Sequence, residues 1–235
     1  MTRKLVTEAI GTFFLVLTIG LTVTAGEPLA PLAIGSALMV MVYMGGAISG
    51  AHYNPAVTAA MLLRRKVTAP EGAGYVAAQL AGAVLAALAA YALTGTTFAP
   101  APAPGAGMGQ VLLVETLFTF ALALVVLNVA TARETEGNSY FGLAIGFTVV
   151  VGAFAGGPIS GGAFNPAVGI GPALIHCVIG GQPVGHVLYY VIGPLLGAVL
   201  AVPVFALQHP EPPAGAATHP TVVNQPVEPE AVPHP

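Results

Sequence analysis

Two short motifs carry side chains that could hydrogen-bond an uncharged molecule. Asn54-Pro55-Ala56 and Asn165-Pro166-Ala167 stand 111 residues apart, and a Ser-Gly pair stands shortly before each motif. An Asn side chain offers an NH₂ donor and a carbonyl acceptor without a charge. The sequence shows no nucleophile with a base, no acid pair and no metal cluster of the kind that catalysis requires. We therefore expect the two motifs to recognise neutral polar molecules, and we expect neither enzymatic activity nor a cofactor.

Each motif is also a signal to begin a helix. Asn is favoured at the N-cap and Pro at the first helical position. The first of these helices would run from Asn54 to Arg64, eleven residues, or roughly 16 Å at 1.5 Å per residue. This length is about half of the ~30 Å hydrocarbon core of a bilayer. Two such half-helices that enter from opposite faces would meet at the centre.

The meeting point of the half-helices would favour neutral molecules over protons. The N-terminus of each helix carries about half a positive charge, which repels cations. A water molecule that accepts hydrogen bonds from both Asn54 and Asn165 must point its own hydrogens away from the centre. This orientation breaks the donor-to-acceptor order that a proton relay needs. The sequence thus predicts passage of neutral molecules without protons.

The elements that must hold the motifs are membrane-spanning helices. Of the 235 residues, 56% are hydrophobic and only 6% are charged, whereas an ordinary soluble domain is about 25% charged. A span needs about 20 mainly apolar residues. Six segments qualify as candidates: Leu5 to Thr24, Leu32 to Ala47, Gly74 to Leu93, Gln110 to Ala130, Tyr140 to Ala155 and Val184 to Leu207.

The two halves of the chain carry the same landmarks in the same order. The recurring pairs are Glu8 with Glu115, Ser49-Gly50 with Ser160-Gly161, and residues 78–83 with residues 193–198. Each half holds three spans, an odd number, so the second half must enter the membrane upside down. The prediction is an all-α membrane protein with six transmembrane helices and two re-entrant half-helices, built from inverted repeats at about 1–94 and 108–207.

The few charges indicate how the chain lies in the membrane. Threading six spans from an inside N-terminus puts all basic residues on one side: Arg3, Lys4, Arg64, Arg65, Lys66 and Arg133. The positive-inside rule then predicts cytoplasmic N- and C-termini. Short loops and inside-positive ends suit a multi-pass protein of a bacterial inner membrane, with a eukaryotic membrane as the alternative. A net charge of −3 without a basic run argues against a nucleic-acid partner.

Two segments fall outside the predicted spans. Residues 95–109 contain Pro-Ala-Pro-Ala-Pro and predict a flexible external loop. Residues 208–235 hold eight prolines, three histidines and three glutamates, which predicts a disordered cytoplasmic tail beyond a membrane domain of residues 1–207. The tail histidines lie too far apart for metal-ligand spacing, so no metal site is expected: His209, His219 and His234.

These features make the chain similar to the major intrinsic protein family, the aquaporins and aquaglyceroporins. The resemblance covers about residues 3–207 and rests on the paired Asn-Pro-Ala motifs in a six-span context, with residues 8–14, 49–58 and 160–167 around the landmarks. It implies an aquaporin-like fold in the lipid bilayer, a pore through each subunit and a homotetramer. Water and small neutral solutes would be the molecules that the pore conducts.

Two acids and a histidine inside the membrane domain allow more than one interpretation. Because an intramembrane carboxylate is costly and by default functional, Glu8 and Glu115 could form a proton or ion relay. The resemblance favours a structural role, in which each acid accepts hydrogen bonds from non-helical backbone near a half-helix. His52 could line the cytoplasmic pore entrance, the role we favour, or satisfy backbone groups of the re-entrant loop.

The resemblance places the selectivity filter, the narrowest part of the pore, on four residues: Ile34, Ala153, Gly162 and Val168. Most family members carry an Arg at the position of Val168, three residues beyond the second Asn. None of the four residues here is charged or aromatic, so their ring should be wider and less polar than that of water-selective members. Neighbouring Phe154 or Phe164 could fill the gap and narrow the pore again.

The sequence therefore predicts a passive channel for water and small uncharged solutes, such as glycerol, urea, ammonia or neutral metalloid acids. Without the Arg, exclusion of protons and cations would rest on the Asn pair and the helix dipoles. Three alternatives stay open. One is a secondary transporter of a small polar solute, since transporters also use inverted repeats and broken helices. Another is a water-selective aquaporin, and the third is a closed, purely structural membrane protein.

Overall fold

The computed structural model describes residues 1–181, 183 and 185–210. Eight α-helices follow one another within these residues: α1 (Thr2–Thr24), α2 (Ala30–Ser49), α3 (Pro55–Leu63), α4 (Ala69–Thr94), α5 (Met108–Thr131), α6 (Phe141–Ser160), α7 (Pro166–Val178) and α8 (Val187–Gln208). All except α3 and α7 are long and apolar enough to cross a membrane. The two short helices each begin at an Asn-Pro motif. The predicted fold class of six spans and two half-helices is confirmed.

The predicted spans lie close to the observed helices, which are mostly longer. α4 begins before its apolar run because the Thr68 hydroxyl accepts a hydrogen bond from Glu71 N, an N-cap that includes a polar first turn. α6 ends at Ser160 because Gly161 follows with φ +91°, a left-handed C-cap that suits glycine. The start predicted for the sixth span, Val184, lies outside the described residues, and α8 begins at Val187.

Helix packing repeats between the two halves. α1 packs on α4, α5 packs on α8, and α2 packs on α6 across the two repeats. Glycine permits close approaches: Gly82 of α4 lies against the carbonyl of Ala9, and Gly197 of α8 lies against the carbonyl of Thr116. Small residues let the backbones of membrane helices come into contact. The same contact at matching positions is what an inverted repeat requires.

The basic residues gather at one end of the helix bundle. Lys4 Nζ contacts Glu71 Oε1 at 2.7 Å and joins the starts of α1 and α4. The Arg64 guanidinium lies 4.5 Å from the centre of the Phe205 ring and joins the ends of α3 and α8. The C-terminal end of α5 lies at the same end of the bundle, as a hydrogen bond between the last turns of α5 and α8 shows. This arrangement agrees with the prediction that all the cations share one side, and their cytoplasmic placement stays a prediction.

The segment between α4 and α5 packs against the helices, whereas the sequence predicted a flexible loop. Phe98 is buried and fills the space beside Gly20 of α1. Further along the segment, Ala103 N donates to the carbonyl of Ile159 at 3.0 Å. The proline-rich composition indicated a loop correctly, but it gave no sign that the single aromatic side chain would find a gap left by a glycine.

The ordered contacts of the chain continue beyond the predicted domain boundary at residue 207. α8 ends at Gln208, and His209 Nε2 lies 2.8 Å from Asn128 Oδ1 of α5. Residues 211–235 lie outside the described residues, and the predicted tail with His219 and His234 falls almost entirely on them.

Candidate functional site

The two half-helices begin as the Asn-Pro motifs predict. Asn54 Oδ1 accepts a hydrogen bond from Ala56 N at 2.8 Å, and Asn165 Oδ1 accepts one from Ala167 N at 2.9 Å. Both asparagines have extended backbone, and Pro55 or Pro166 follows at the first helical position. Each asparagine therefore caps its own helix with its carbonyl oxygen and has its amide nitrogen free for another partner.

The amide nitrogens join the two repeats to each other. Asn54 Nδ2 donates to the carbonyl of Phe164 at 2.9 Å, and Asn165 Nδ2 donates to the carbonyl of Tyr53 at the same distance. An amide NH₂ carries two hydrogens, so one hydrogen on each asparagine has no protein partner in this pair of bonds. The sequence did not predict this reciprocal bond. It occupies half of the donor capacity that we assigned to the pore lumen.

The backbone before each asparagine is strained in the same way and held by an acid. Tyr53 and Phe164 adopt φ values of +49° and +47°, a left-handed conformation that is unusual for aromatic residues. Tyr53 N donates to Glu8 Oε2, and Phe164 N donates to Glu115 Oε2, both at 2.7 Å. These bonds fix the backbone of each aromatic residue so that its own carbonyl faces the asparagine of the other repeat.

Glu8 accepts more hydrogen bonds than its counterpart. Its donors are Ser49 Oγ at 2.6 Å, His52 N at 3.0 Å, Tyr53 N at 2.7 Å and Gln79 Nε2 at 2.8 Å. Glu115 receives the equivalent bonds from Ser160 Oγ, Ala163 N and Phe164 N. The repeat places Pro194 opposite Gln79, so Glu115 has no donor from α8. This geometry fits the structural interpretation of the two acids.

Several residues of the site were missed from the sequence. Tyr75 and Tyr190 donate their hydroxyl hydrogens to the carbonyls of Ser49 and Ser160, at 2.6 and 2.5 Å. The two tyrosines occupy matching places in the repeat, three residues before the recurring segments at 78 and 193, so an alignment of the halves could have found them. Gln79 had no such signal, because its partner in the other half is a proline.

The filter residues predicted from the resemblance border one cavity. Ile34, Ala153, Gly162 and Val168 all line a cavity of about 410 Å³, together with Asn54 and Asn165. The described residues that line it include no Lys, Arg, Asp or Glu. The cavity thus combines a largely apolar wall with the two central amides.

The two phenylalanines that could narrow the pore have different positions. Phe154 does not line the cavity, and 48% of it is exposed on the outer surface of α6. Phe164 does line the cavity, and its ring lies 5.4 Å from the ring of Phe118, measured between centroids. Only Phe164 is therefore placed where it could fill part of the opening.

His52 belongs to the segment between α2 and α3, in the first half of the chain. It is buried and lines the cavity, and its Nδ1 lies 3.1 Å from the hydroxyl oxygen of Thr58. That hydroxyl also accepts a hydrogen bond from Gln79 Nε2 and donates to the carbonyl of Asn54, each at 3.1 Å. The imidazole therefore pairs with a side chain rather than with the backbone of the re-entrant loop.

Within the described residues, no group of three His, Cys, Asp or Glu side chains could hold a metal ion.

Comparison with known proteins identifies the family. The sequence model described as Major intrinsic protein matches residues 1–205. The chain is 39% identical to the glycerol uptake facilitator protein-like 6 of Lactiplantibacillus plantarum over 85% of this chain and 94% of that protein. It is 37% identical to a putative aquaporin of Arabidopsis thaliana over 85% of this chain and 72% of that protein. The fold resembles that of the aquaglyceroporin from Plasmodium falciparum, with a TM-score of 0.79 at 21% identity, over 88% of this chain and 99% of that one. The chain belongs to the major intrinsic protein family of membrane channels.

Proposed function

We propose that this protein is a passive channel for water and small uncharged solutes, with glycerol, urea, ammonia and neutral metalloid acids as the candidates. The observation that carries the proposal is the 410 Å³ cavity, whose wall joins the two central amides to four uncharged, non-aromatic filter residues. Such a wall offers little to hold an ion and leaves room for molecules larger than water. The name of the Lactiplantibacillus plantarum relative, a glycerol uptake facilitator-like protein, supports glycerol as a substrate.

The central asparagines give the channel its polar step. Each directs one amide hydrogen across the repeat interface and keeps the second for a passing molecule. The positive ends of α3 and α7 lie at the same level, because both helices begin at these residues. A water that accepts from both amides has its hydrogens turned away from the centre, so protons are not relayed.

The filter lacks the cation that most family members have there. Val168 occupies that position, buried in the cavity wall, and no lining side chain among the described residues replaces the missing charge. Proton exclusion then depends on the central amides and helix dipoles alone. Proteoliposomes loaded with a pH dye test this step directly. We expect no faster pH equilibration than in empty vesicles, and faster equilibration would disprove exclusion.

The acids and the histidine have separate roles in this proposal. Glu8 and Glu115 hold Tyr53 and Phe164 in the left-handed conformation that aims their carbonyls at the asparagines, and they take no part in proton transfer. His52 is the polar group of the cavity on the side of α3, with its ring fixed by Thr58. An apolar wall with a few fixed polar groups suits neutral solutes that have both apolar and hydroxyl surfaces.

A channel is distinguished from the alternatives by how solute uptake depends on solute concentration and on ion gradients. Uptake of labelled glycerol and urea into proteoliposomes is measured over a wide range of concentration, with and without ion gradients. A channel gives linear, gradient-independent uptake. Saturable uptake that follows an ion gradient would instead indicate a secondary transporter. Rapid water flow without uptake of either solute would indicate a water-selective aquaporin, and absence of all flux would indicate a closed structural protein.

We extend the proposal to the assembly and the membrane. The family resemblance implies a homotetramer in which each subunit has its own pore, and native mass spectrometry of the detergent-solubilised protein tests this number. Because the basic residues lie at one end of the helix bundle, the positive-inside rule supports cytoplasmic N- and C-termini. A bacterial inner membrane is the proposed location.

A further inference from the structure

The aromatic residue that precedes each central asparagine lies differently in the two repeats. In the first repeat, the ring of Tyr53 lies against Gly11 of α1, and its hydroxyl reaches Gly45 of α2 and donates to the carbonyl of Met41 at 2.9 Å. The ring therefore fills a slot between α1 and α2. Tyr53 is fully buried and does not line the cavity.

The equivalent slot of the second repeat is already filled. The correspondence of Glu8 with Glu115 matches Gly11 to Phe118, and the correspondence of Ser49 with Ser160 matches Gly45 to Gly156. The Phe118 ring covers Gly156: a Cβ built on that glycine would lie 2.9 Å from Phe118 Cδ2. A bulky side chain thus stands where the first repeat has a glycine.

The ring of Phe164 is consequently beside the filter. A Cβ built on Gly152 would lie 3.1 Å from Phe164 Cε2, and one built on Gly162 would lie 3.4 Å from the same atom. Gly162 is a filter residue, and Gly152 directly precedes the filter residue Ala153. Phe164 lines the cavity, unlike Tyr53 in the same place of the other repeat.

We propose that Phe118 is a positioning residue for pore width, which occupies the slot between α5 and α6 and thereby holds the Phe164 ring beside the filter. Phe118 itself does not line the cavity, so it acts through the contact with Phe164, at 5.4 Å between ring centroids. The pair sets the largest solute that passes. This inference rests on the proposed channel function, and it assigns the control of solute size to a residue outside the filter.

The test compares polyols of increasing size in proteoliposomes: glycerol, erythritol and ribitol, each relative to water. F118A empties the slot and lets the Phe164 ring move into it. We expect the erythritol-to-water permeability ratio to rise about fivefold, which corresponds to roughly 1 kcal/mol off the barrier. F164A should give a similar rise, and the double variant should add little to either. F118L keeps the slot filled and should retain the wild-type ratio.

Two further variants control for folding and for the general loss of an aromatic ring. F118G combined with F164Y rebuilds the arrangement of the first repeat, in which the tyrosine lies in the slot, and should widen the pore even if F118A does not fold. F154A removes a phenylalanine from the outer surface of α6, where 48% of the residue is exposed, and should leave the ratio unchanged.

The outcomes separate this inference from the proposed function. If wild-type protein passes no glycerol but F118A and F164A do, the proposed solute range is wrong and the positioning role stands. If F164A widens the cut-off while neither F118A nor the F118G/F164Y protein does, the positioning role is wrong. A cut-off that F164A leaves unchanged, or additive effects of F118A and F164A, would also overturn it.

Discussion

At the scale of single residues, both buried acids accept hydrogen bonds from the segment before a half-helix, but Glu8 has more donors than Glu115. Both oxygens of Glu8 accept two hydrogen bonds each, whereas Glu115 Oε2 accepts one, from Phe164 N. A buried donor left without its acceptor costs about 1–3 kcal/mol. The acid with more donors should therefore be the more sensitive one.

Substituting each acid by its amide tests this difference. E8Q turns one acceptor oxygen into an NH₂ group that faces two donors in either orientation, and we expect a loss of about 2–4 kcal/mol of stability. E115Q can turn its NH₂ group toward the single donor, so its loss should be smaller. Thermal unfolding in detergent, followed by size-exclusion chromatography, measures both. E27Q, at an exposed position before α2, is the control, and equal melting of all three variants would contradict the account.

At the scale of elements, the sequence was most informative where chemistry is local. The Asn-Pro motifs predicted both half-helices because N-capping and proline geometry depend on adjacent residues. The contacts between distant elements were not predictable in this way. The reciprocal bonds from Asn54 and Asn165 depend on how the backbones of the two repeats meet. The burial of Phe98 and the position of Phe164 depend on which side chain fills a gap between two helices.

The crossing of α2 and α6 gives a prediction for an element. A Cβ on Gly146 would lie 2.5 Å from the carbonyl oxygen of Gly35 and 2.6 Å from Met39 Cβ, so the helices would have to separate. We expect G146A to lower the free energy of unfolding by about 1–3 kcal/mol, the usual cost of overpacking. G109A, at an exposed position of α5 where a Cβ meets nothing within 4 Å, is the matched control. Equal thermal stability of the two variants would show that the crossing tolerates a side chain.

At the scale of the whole molecule, the orientation in the membrane can be tested with the single cysteine. Cys177 is exposed near the end of α7, and its neighbour His176 contacts Thr97 just beyond the end of α4. This end is opposite to the one where Lys4 meets Glu71. In intact cells, a membrane-impermeant maleimide should label Cys177 from outside.

A second variant tests the predicted cytoplasmic face of the same protein. In the C177A background, K66C should react only after the membrane is made permeable, because Lys66 follows α3 at the basic end. Labelling of Cys177 that requires permeabilisation, with K66C accessible in intact cells, would mean that the topology is inverted.

The central claim is that an uncharged, open filter admits solutes larger than water, and stopped-flow light scattering on proteoliposomes in a glycerol gradient tests it most directly. We predict rapid shrinkage followed by re-swelling much faster than in empty vesicles. A153F, which adds a ring to the filter, should slow re-swelling by about tenfold, or roughly 1.4 kcal/mol on the barrier. A155F adds the same ring at an exposed position of α6 and should leave it unchanged. Fast water flow without glycerol re-swelling in the wild-type protein would contradict the account.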